Sequence, residues 1–137
     1  MRLAAALGAA VVLAGCSPAS TIGGHDEPQL RRLAARATAA CEGRRCEVPP
    51  SPFTTDGCSG WPDGRWQACC VEHDLVYWCG GTAEERRQAD ARLRACVAST
   101  GRPATAAVMY WSVRVGGHPW LPLPWRWGYG WPWPRGY

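Results

Sequence analysis

The sequence predicts a small all-α domain that is exported and stapled by disulfides. Eight of its 137 residues are cysteines, which is typical of exported domains whose hydrophobic core is too small to hold the fold alone. Apolar residues recur at helical spacing through the middle of the chain, over residues 28–115. Residues 116–137 form a tail that is mostly Trp, Pro and Gly, a composition that excludes a helix or a regular sheet.

The N-terminal segment predicts export and lipidation. Residues 1–15 read as a lipoprotein signal peptide, because one arginine precedes an apolar run too short to cross a bilayer. Residues 13–16 read Leu-Ala-Gly-Cys and match the bacterial lipobox, so we expect cleavage before Cys16 and its diacylation. An ordinary signal peptide with a chance cysteine is the alternative. Residues 16–27 would then be the lipid anchor and linker of a cell-envelope protein, and Ser17 is compatible with outer-membrane sorting.

The charge of the chain is mild and its basic part comes from arginine alone. The formal net charge is +4, and all fifteen basic residues are arginine. This charge is too small and too scattered to indicate nucleic-acid binding, but it is compatible with an anionic bilayer surface. We expect a monomer with no organic cofactor.

Cap and turn residues predict the first helix and the loop after it. Asp26 followed by Pro28 indicates a helix cap and a first turn, and Gly43 ends the helical spacing. Residues 47–67 contain four prolines and three glycines, so we expect a structured loop there and not a strand. The apolar positions that keep helical spacing in the first helix are Leu30, Leu33, Ala34, Ala37 and Cys41.

Two further helices are predicted as an antiparallel pair. The first covers about residues 66–79 and stops at two glycines. Thr82 and Glu85 form a capping box that opens the second, over residues 83–99. Because the turn between them is so short, the two helices should be antiparallel neighbours. Residues 104–115 form either a fourth helix or an extended piece.

A histidine and an aspartate should meet between the paired helices. Asp90 has apolar residues at i+3 and i+7, so it lies on the buried face and needs a partner. His73 on the neighbouring helix is the obvious partner. Cys69 precedes His73 by four residues and Cys96 follows Asp90 by six, so a bridge between these cysteines would align His73 with Asp90.

Two segments resemble a known family. Residues 69–77 read Cys-Cys-Val-Glu-His-Asp-Leu-Val-Tyr and resemble the signature helix of the secreted phospholipase A2 superfamily, Cys-Cys-x-x-His-Asp-x-Cys-Tyr. Val76 replaces a cysteine that the compact microbial branch also lacks. Residues 54–63, with Asp-Gly-Cys-Ser followed by Pro-Asp, resemble the calcium loop of the microbial enzymes. The resemblance implies a phospholipase A2-like helical domain with a catalytic helix pair.

The resemblance also implies roles for individual residues. His73 would be the general base, oriented by Asp90 and by the Tyr77 hydroxyl. Asp74 and Asp56 would bind Ca²⁺ through their carboxylates. Gly57 would add a backbone carbonyl to the same ion. The implied activity is calcium-dependent hydrolysis of the sn-2 ester of glycerophospholipids, with a phospholipid membrane surface as the partner.

The cysteine framework follows partly from the resemblance. It implies bridges Cys58–Cys70 and Cys69–Cys96, the latter also favoured by the spacing described above. Cys41–Cys46 is expected as a third bridge across a short loop, and the partner of Cys79 stays open. With Cys16 reserved for lipid, seven cysteines remain, so one thiol stays free or pairs between molecules.

Three alternatives stay open at this point. A zinc site could use Cys69, Cys70, His73 and Cys79, although adjacent cysteines suit tetrahedral ligation poorly. The chain could instead be a non-catalytic lipoprotein that uses the same scaffold to bind a membrane or a partner. The tryptophans of the tail could contact the bilayer headgroups, cap the core, or do both. His25 and His118 lack a catalytic context and are interpreted as ordinary linker and tail residues.

Overall fold

The described part of this computed structural model, residues 26–45 and 47–137, contains α-helices and no strand. The all-α prediction is therefore confirmed for these residues. The predictions for the signal peptide, Cys16, His25 and Cys46 lie outside them. None of the described helices is long and apolar enough to cross a membrane. The helices are α1 (Glu27–Arg44), α2 (Gln67–Cys79), α3 (Ala83–Ser99) and α4 (Pro103–Gly116).

The helix ends follow from local chemistry. The Asp26 carboxylate accepts a hydrogen bond from the Gln29 amide at 2.8 Å and caps α1. Thr82 and Glu85 form the expected reciprocal capping box at the start of α3. Gly80 ends α2 with a φ of +72°, a conformation that a residue with a Cβ rarely adopts.

The helices pack as neighbours along the chain. α3 lies against both α2 and α4, and α1 lies against α2. The segment predicted as a helix or an extended piece is helix α4. Met109 from α4 joins Leu93 and Val97 from α3 in the core between these two helices. Ala37 of α1 packs with Leu75 of α2 in a second core.

Three disulfides join the described segments, and one expected pairing is wrong. The bridges Cys58–Cys70 and Cys69–Cys96 are present as expected. Cys41 pairs with Cys79 and not with Cys46. The physical reason is helix packing: Cys41 lies inside α1, on the side that packs against α2, and its Cα is 5.6 Å from the Cα of Cys79.

The tail folds back over the turn between α2 and α3. Trp127 is only 1% exposed, and its indole nitrogen donates to the carbonyl of Gly81 at 2.8 Å. The amide of Gly128 donates to the carbonyl of Tyr77 at 2.7 Å. A Cβ on Gly80 would lie 2.9 Å from the Cα of Gly128, so the two backbones approach as closely as glycine allows. The tail therefore covers part of the core.

Trp127 should be a main contributor to stability. Replacing it with alanine removes a buried ring and a buried hydrogen bond, so we expect Trp127→Ala to lower the free energy of unfolding by about 3–5 kcal/mol. Trp133 in the same tail is 76% exposed, and Trp133→Ala should change stability by less than about 0.5 kcal/mol. Chemical denaturation of both variants measures the difference, and equal effects would contradict this account of the tail.

Candidate active site

The structure brings His73 and Asp90 together between α2 and α3. Nε2 of His73 lies 2.8 Å from Oδ1 of Asp90. His73 is 8% exposed and Asp90 is fully buried. An ionised carboxylate can only accept a hydrogen bond, so Nε2 must be the protonated nitrogen and Nδ1 carries the free lone pair of the neutral ring. Nδ1 has no hydrogen-bond partner within the described segments.

Asp90 is held in its ionised form by three more groups. The Tyr77 hydroxyl donates to Oδ1 at 2.7 Å, and Arg114 Nη1 donates to Oδ2 at 2.6 Å. Arg86 Nε lies 4.0 Å from Oδ2. Burial by itself would raise the pKa of Asp90, but the hydrogen bonds from His73, Tyr77 and Arg114 lower it below its ordinary value. Asp90 therefore stays charged and fixes the orientation of the imidazole.

The two arginines were missed by sequence reasoning. Arg86 precedes Asp90 by four residues on α3, so the helical spacing could have placed it on the same buried face. Its guanidinium also donates to the carbonyls of Val113 and Arg114 and so binds the last turn of α4. Arg114 is different, because only the packing of α4 against α3 brings it to Asp90.

His73 opens onto a mostly apolar cleft of about 150 Å³. Asp74 lines the same cleft, so a carboxyl group and an imidazole stand beside an apolar surface. Tyr77 also lines it, with its ring 4.1 Å from the ring of His73. The larger apolar residues that line the cleft are Trp61, Leu93, Met109, Val113 and Trp125.

The loop before α2 surrounds Asp74 with polar groups. The Thr55 hydroxyl donates to Oδ2 of Asp74 at 2.6 Å and accepts from the Gly57 amide at 3.1 Å. Gly57 has a φ of +81°, and a Cβ there would lie 2.6 Å from Oδ1 of Asp63. Asp56 and Asp74 line one shared pocket next to the cleft. Asp56 from the loop and Asp74 from α2 therefore bring two carboxyl groups to the same pocket.

The carboxyl groups of Asp56 and Asp74 could contact a cation that takes only a few of its ligands from side chains. Burial raises the pKa of Asp74 to about 8, and the negative charge of Asp56 adds to the effect, against the Thr55 hydrogen bond. A positive ion between the two carboxyl groups would relieve this unfavourable charge. Within residues 26–45 and 47–137, no group of three or more His, Cys, Asp or Glu side chains could hold a metal. The two carboxylates are too few to bind a cation alone, so backbone carbonyls and water would have to complete its coordination.

The zinc alternative is wrong. Cys69, Cys70 and Cys79 are all in disulfides, so they offer no thiolate to a metal.

Comparison with known proteins finds no match: no family model, no curated protein and no solved structure is significantly similar to this chain. Its function must therefore be argued from the geometry of the site.

The raised pKa of Asp74 predicts a pH-dependent stability. In the presence of a chelator, the folded protein keeps a proton on Asp74 up to about pH 8, whereas the unfolded chain releases it near its ordinary value of 3.8. Folding therefore binds a proton between these pH values, and the contribution of Asp74 to stability falls as pH rises from about 4 to about 8.

Asp74→Asn should remove this contribution. Urea denaturation at pH 5 and pH 8 gives the test, because the difference between wild type and variant isolates Asp74 from other titrating groups. The wild type should lose more stability than the variant over this interval. Parallel pH profiles of the two proteins would contradict the assignment.

Proposed function

We propose that this chain is a phospholipase A2-type hydrolase that cleaves the sn-2 ester of glycerophospholipids in a calcium-dependent reaction. One observation carries the proposal: the His73–Asp90 pair stands at an apolar cleft beside Asp74. A buried His–Asp pair alone is often structural. Here the imidazole also lines an open cleft, and Nδ1 is free to accept a proton.

The reaction begins with a proton transfer to His73. Nδ1 accepts a proton from water while the water oxygen forms a bond to the ester carbonyl carbon. The charge of Asp90 stabilises the resulting imidazolium and holds the ring in place. When the bond from the carbonyl carbon to the leaving alcohol breaks, the imidazolium returns its proton to the alcohol oxygen. The products are a fatty acid and a lysophospholipid, and no serine or cysteine nucleophile is required.

The cleft supplies the environment for this step. Its apolar side chains suit an acyl chain and exclude bulk water from the ester. Asp56, Asp74 and the Gly57 carbonyl would hold the calcium ion. When bound, that ion would act as a Lewis acid toward the phosphate and the developing oxyanion.

An exposed apolar surface beside the cleft supports a membrane as the partner. Val108, Trp111 and Val115 lie at i, i+3 and i+7 on α4 and are 54%, 65% and 71% exposed. Trp120 follows the helix and is 68% exposed. Trp125 lines the cleft and is 45% exposed, which connects this surface to the site. Tryptophan favours the headgroup region of a bilayer.

A non-catalytic envelope lipoprotein is the second candidate. It is favoured by the small donor set: among the described residues, Asp56 and Asp74 are the carboxyl groups that line the pocket beside the cleft, and a Thr55 hydrogen bond already occupies one oxygen of Asp74. On this alternative, the same cleft and surface bind lipid without turnover.

Substitutions at neighbouring positions separate the roles of the base and the metal ligand. His73→Gln should lower fatty-acid release from phospholipid vesicles by a factor of about 10²–10⁴, because the general base is lost. It should leave calcium binding intact, since the imidazole is not a ligand. Asp74→Asn should reduce both, and Asp90→Asn should reduce turnover with little change in calcium affinity.

Fatty-acid release, calcium titration calorimetry and thermal melting are measured on the same preparations. A variant that melts like the wild type excludes a folding defect. If the wild type binds calcium and lipid but releases no fatty acid, the second candidate is correct. If it binds neither, both candidates are wrong.

The exposed surface on α4 should govern vesicle binding. Trp111→Ser should weaken binding to anionic phospholipid vesicles several-fold, because an interfacial indole is replaced by a small polar group. Trp133→Ser is the matched control, since Trp133 is also exposed, at 76%, but lies in the tail and not on α4. Vesicle co-sedimentation measures both. An equal effect of the two substitutions would place the membrane contact elsewhere.

A further inference from the structure

A second, polar cavity lies where the end of α1, the end of α2 and the end of the tail meet. Its volume is about 420 Å³. None of its lining residues lines the cleft at His73, so it is a separate place on the molecule. The residues that line it are Arg44, Arg45, Glu47, Cys79, Trp131, Arg135 and Gly136.

Positive charge exceeds negative charge around this cavity. Three arginines line it, whereas two carboxylates pair with them. Arg45 pairs with Glu85, and Arg135 pairs with Glu47, each at 2.5 Å. Arg44 donates to the carbonyl of Gly80 at 2.6 Å and lies 3.9 Å from Glu85. These groups therefore carry one positive charge in excess, because Arg44 and Arg45 share the carboxylate of Glu85.

The arginines also have donors to spare. A guanidinium carries five N–H donors, and each of the three uses only one nitrogen in a hydrogen bond described above. Nε of Arg45 is buried and donates to no acceptor in the described part of the chain. A buried donor without an acceptor is unfavourable, so the hydrogen-bonding capacity of the Arg45 guanidinium is not fully used within the described part of the chain.

The cavity is held in shape by its surroundings. The Arg45 guanidinium lies between two glycines: a Cβ on Gly81 would be 2.3 Å from Nη2, and a Cβ on Gly136 would be 3.2 Å from Nη1. Only glycine leaves room for the guanidinium on the Gly81 side. The Arg135 guanidinium lies 4.4 Å from the centre of the Trp131 ring, which restricts its motion. Two of the three cations are thus positioned in advance.

Electrostatics supports an anion at this place. Burial lowers the pKa of Arg44, and the neighbouring charges of Arg45 and Arg92 lower it further, against the effect of Glu85. The positive charges therefore repel one another where they are partly removed from water. A negative charge among them would reduce this repulsion.

We propose that this cavity binds a phosphate group, as free phosphate or as the phosphate of a small ester, through Arg44, Arg45 and Arg135. A phosphate offers several acceptor oxygens, and a guanidinium can contact two of them at once. The volume is within the range of small-molecule sites and leaves space for a substituent beyond the phosphate. The inference does not depend on the proposed hydrolysis, because the two places share no residue.

Titration calorimetry with inorganic phosphate and with glycerol phosphate tests the proposal on the full chain. Arg45→Gln should weaken binding by about tenfold or more, since a charged hydrogen-bond donor is lost. Arg135→Gln should weaken it as well and is the milder change, because Arg135 lies at the surface. Glu47→Gln should strengthen binding, because it removes the carboxylate that competes for Arg135.

Arg32→Gln is the matched control. It makes the same chemical change at an exposed position of α1 outside the cavity and should leave binding unchanged. Thermal melting of each variant is measured alongside the titrations. If Arg45→Gln shows a folding defect, the binding measurements on Arg135→Gln and Glu47→Gln decide the test.

Vesicles with an anionic phospholipid form the second arm of the experiment. If the protein binds the soluble phosphates, the phosphate group that the cavity binds is that of a free anion. If the protein binds only the vesicles, and Arg135→Gln abolishes this binding, the phosphate group is that of a lipid headgroup. No saturable binding of any probe up to about 10 mM would overturn the proposal. Equal weakening by Arg32→Gln, or no strengthening by Glu47→Gln, would overturn it as well.

Discussion

The buried charge of Asp90 is the constraint on which the rest of the structure depends. A carboxylate that is fully removed from water is strongly unfavourable unless hydrogen bonds and opposite charges surround it. Its partners come from three helices: His73 and Tyr77 from α2, Arg86 from α3 and Arg114 from α4. Satisfying this one charge therefore fixes how the three helices meet. The same set of contacts fixes the tautomer of His73, so packing and proposed catalysis have a common cause.

The tail supplies hydrogen bonds and buried surface that the four short helices do not supply by themselves. Without the tail, the backbone carbonyls at the turn between α2 and α3 would lose their hydrogen-bond donors. Trp127 and Trp131 donate to the carbonyls of Gly81 and Cys79 at that turn, and Arg126 donates to three carbonyls of the tail itself. The tail thus satisfies backbone groups as well as burying rings. Along α4, by contrast, several aromatic and aliphatic side chains stay exposed.

Local features of the fold could be predicted from the sequence, whereas long-range ones could not. The capping box at Thr82 and the stop at Gly80 depend on neighbouring residues alone, so the helix pair was foreseen within a residue or two. Helical spacing and the cysteine offsets are enough to pair His73 with Asp90. Cys41 was assigned to the wrong partner because the choice depends on how α1 packs on α2. Arg114 was missed for the same kind of reason, since nothing near it in sequence indicates a buried carboxylate 24 residues away.

The adjacent cysteines of α2 explain how so small a domain keeps its candidate site in register. Cys70 binds the loop that carries Asp56 and Gly57, and Cys69 binds the helix that carries Asp90. The bridges leave α2 about one turn before Asp74 and His73, respectively. The third bridge, at Cys79, fixes the other end of the same helix to α1. Because α2 is cross-linked at both ends, the loop, the imidazole and the carboxylate are placed relative to a single rigid element, and the geometry does not require the large core that this chain lacks.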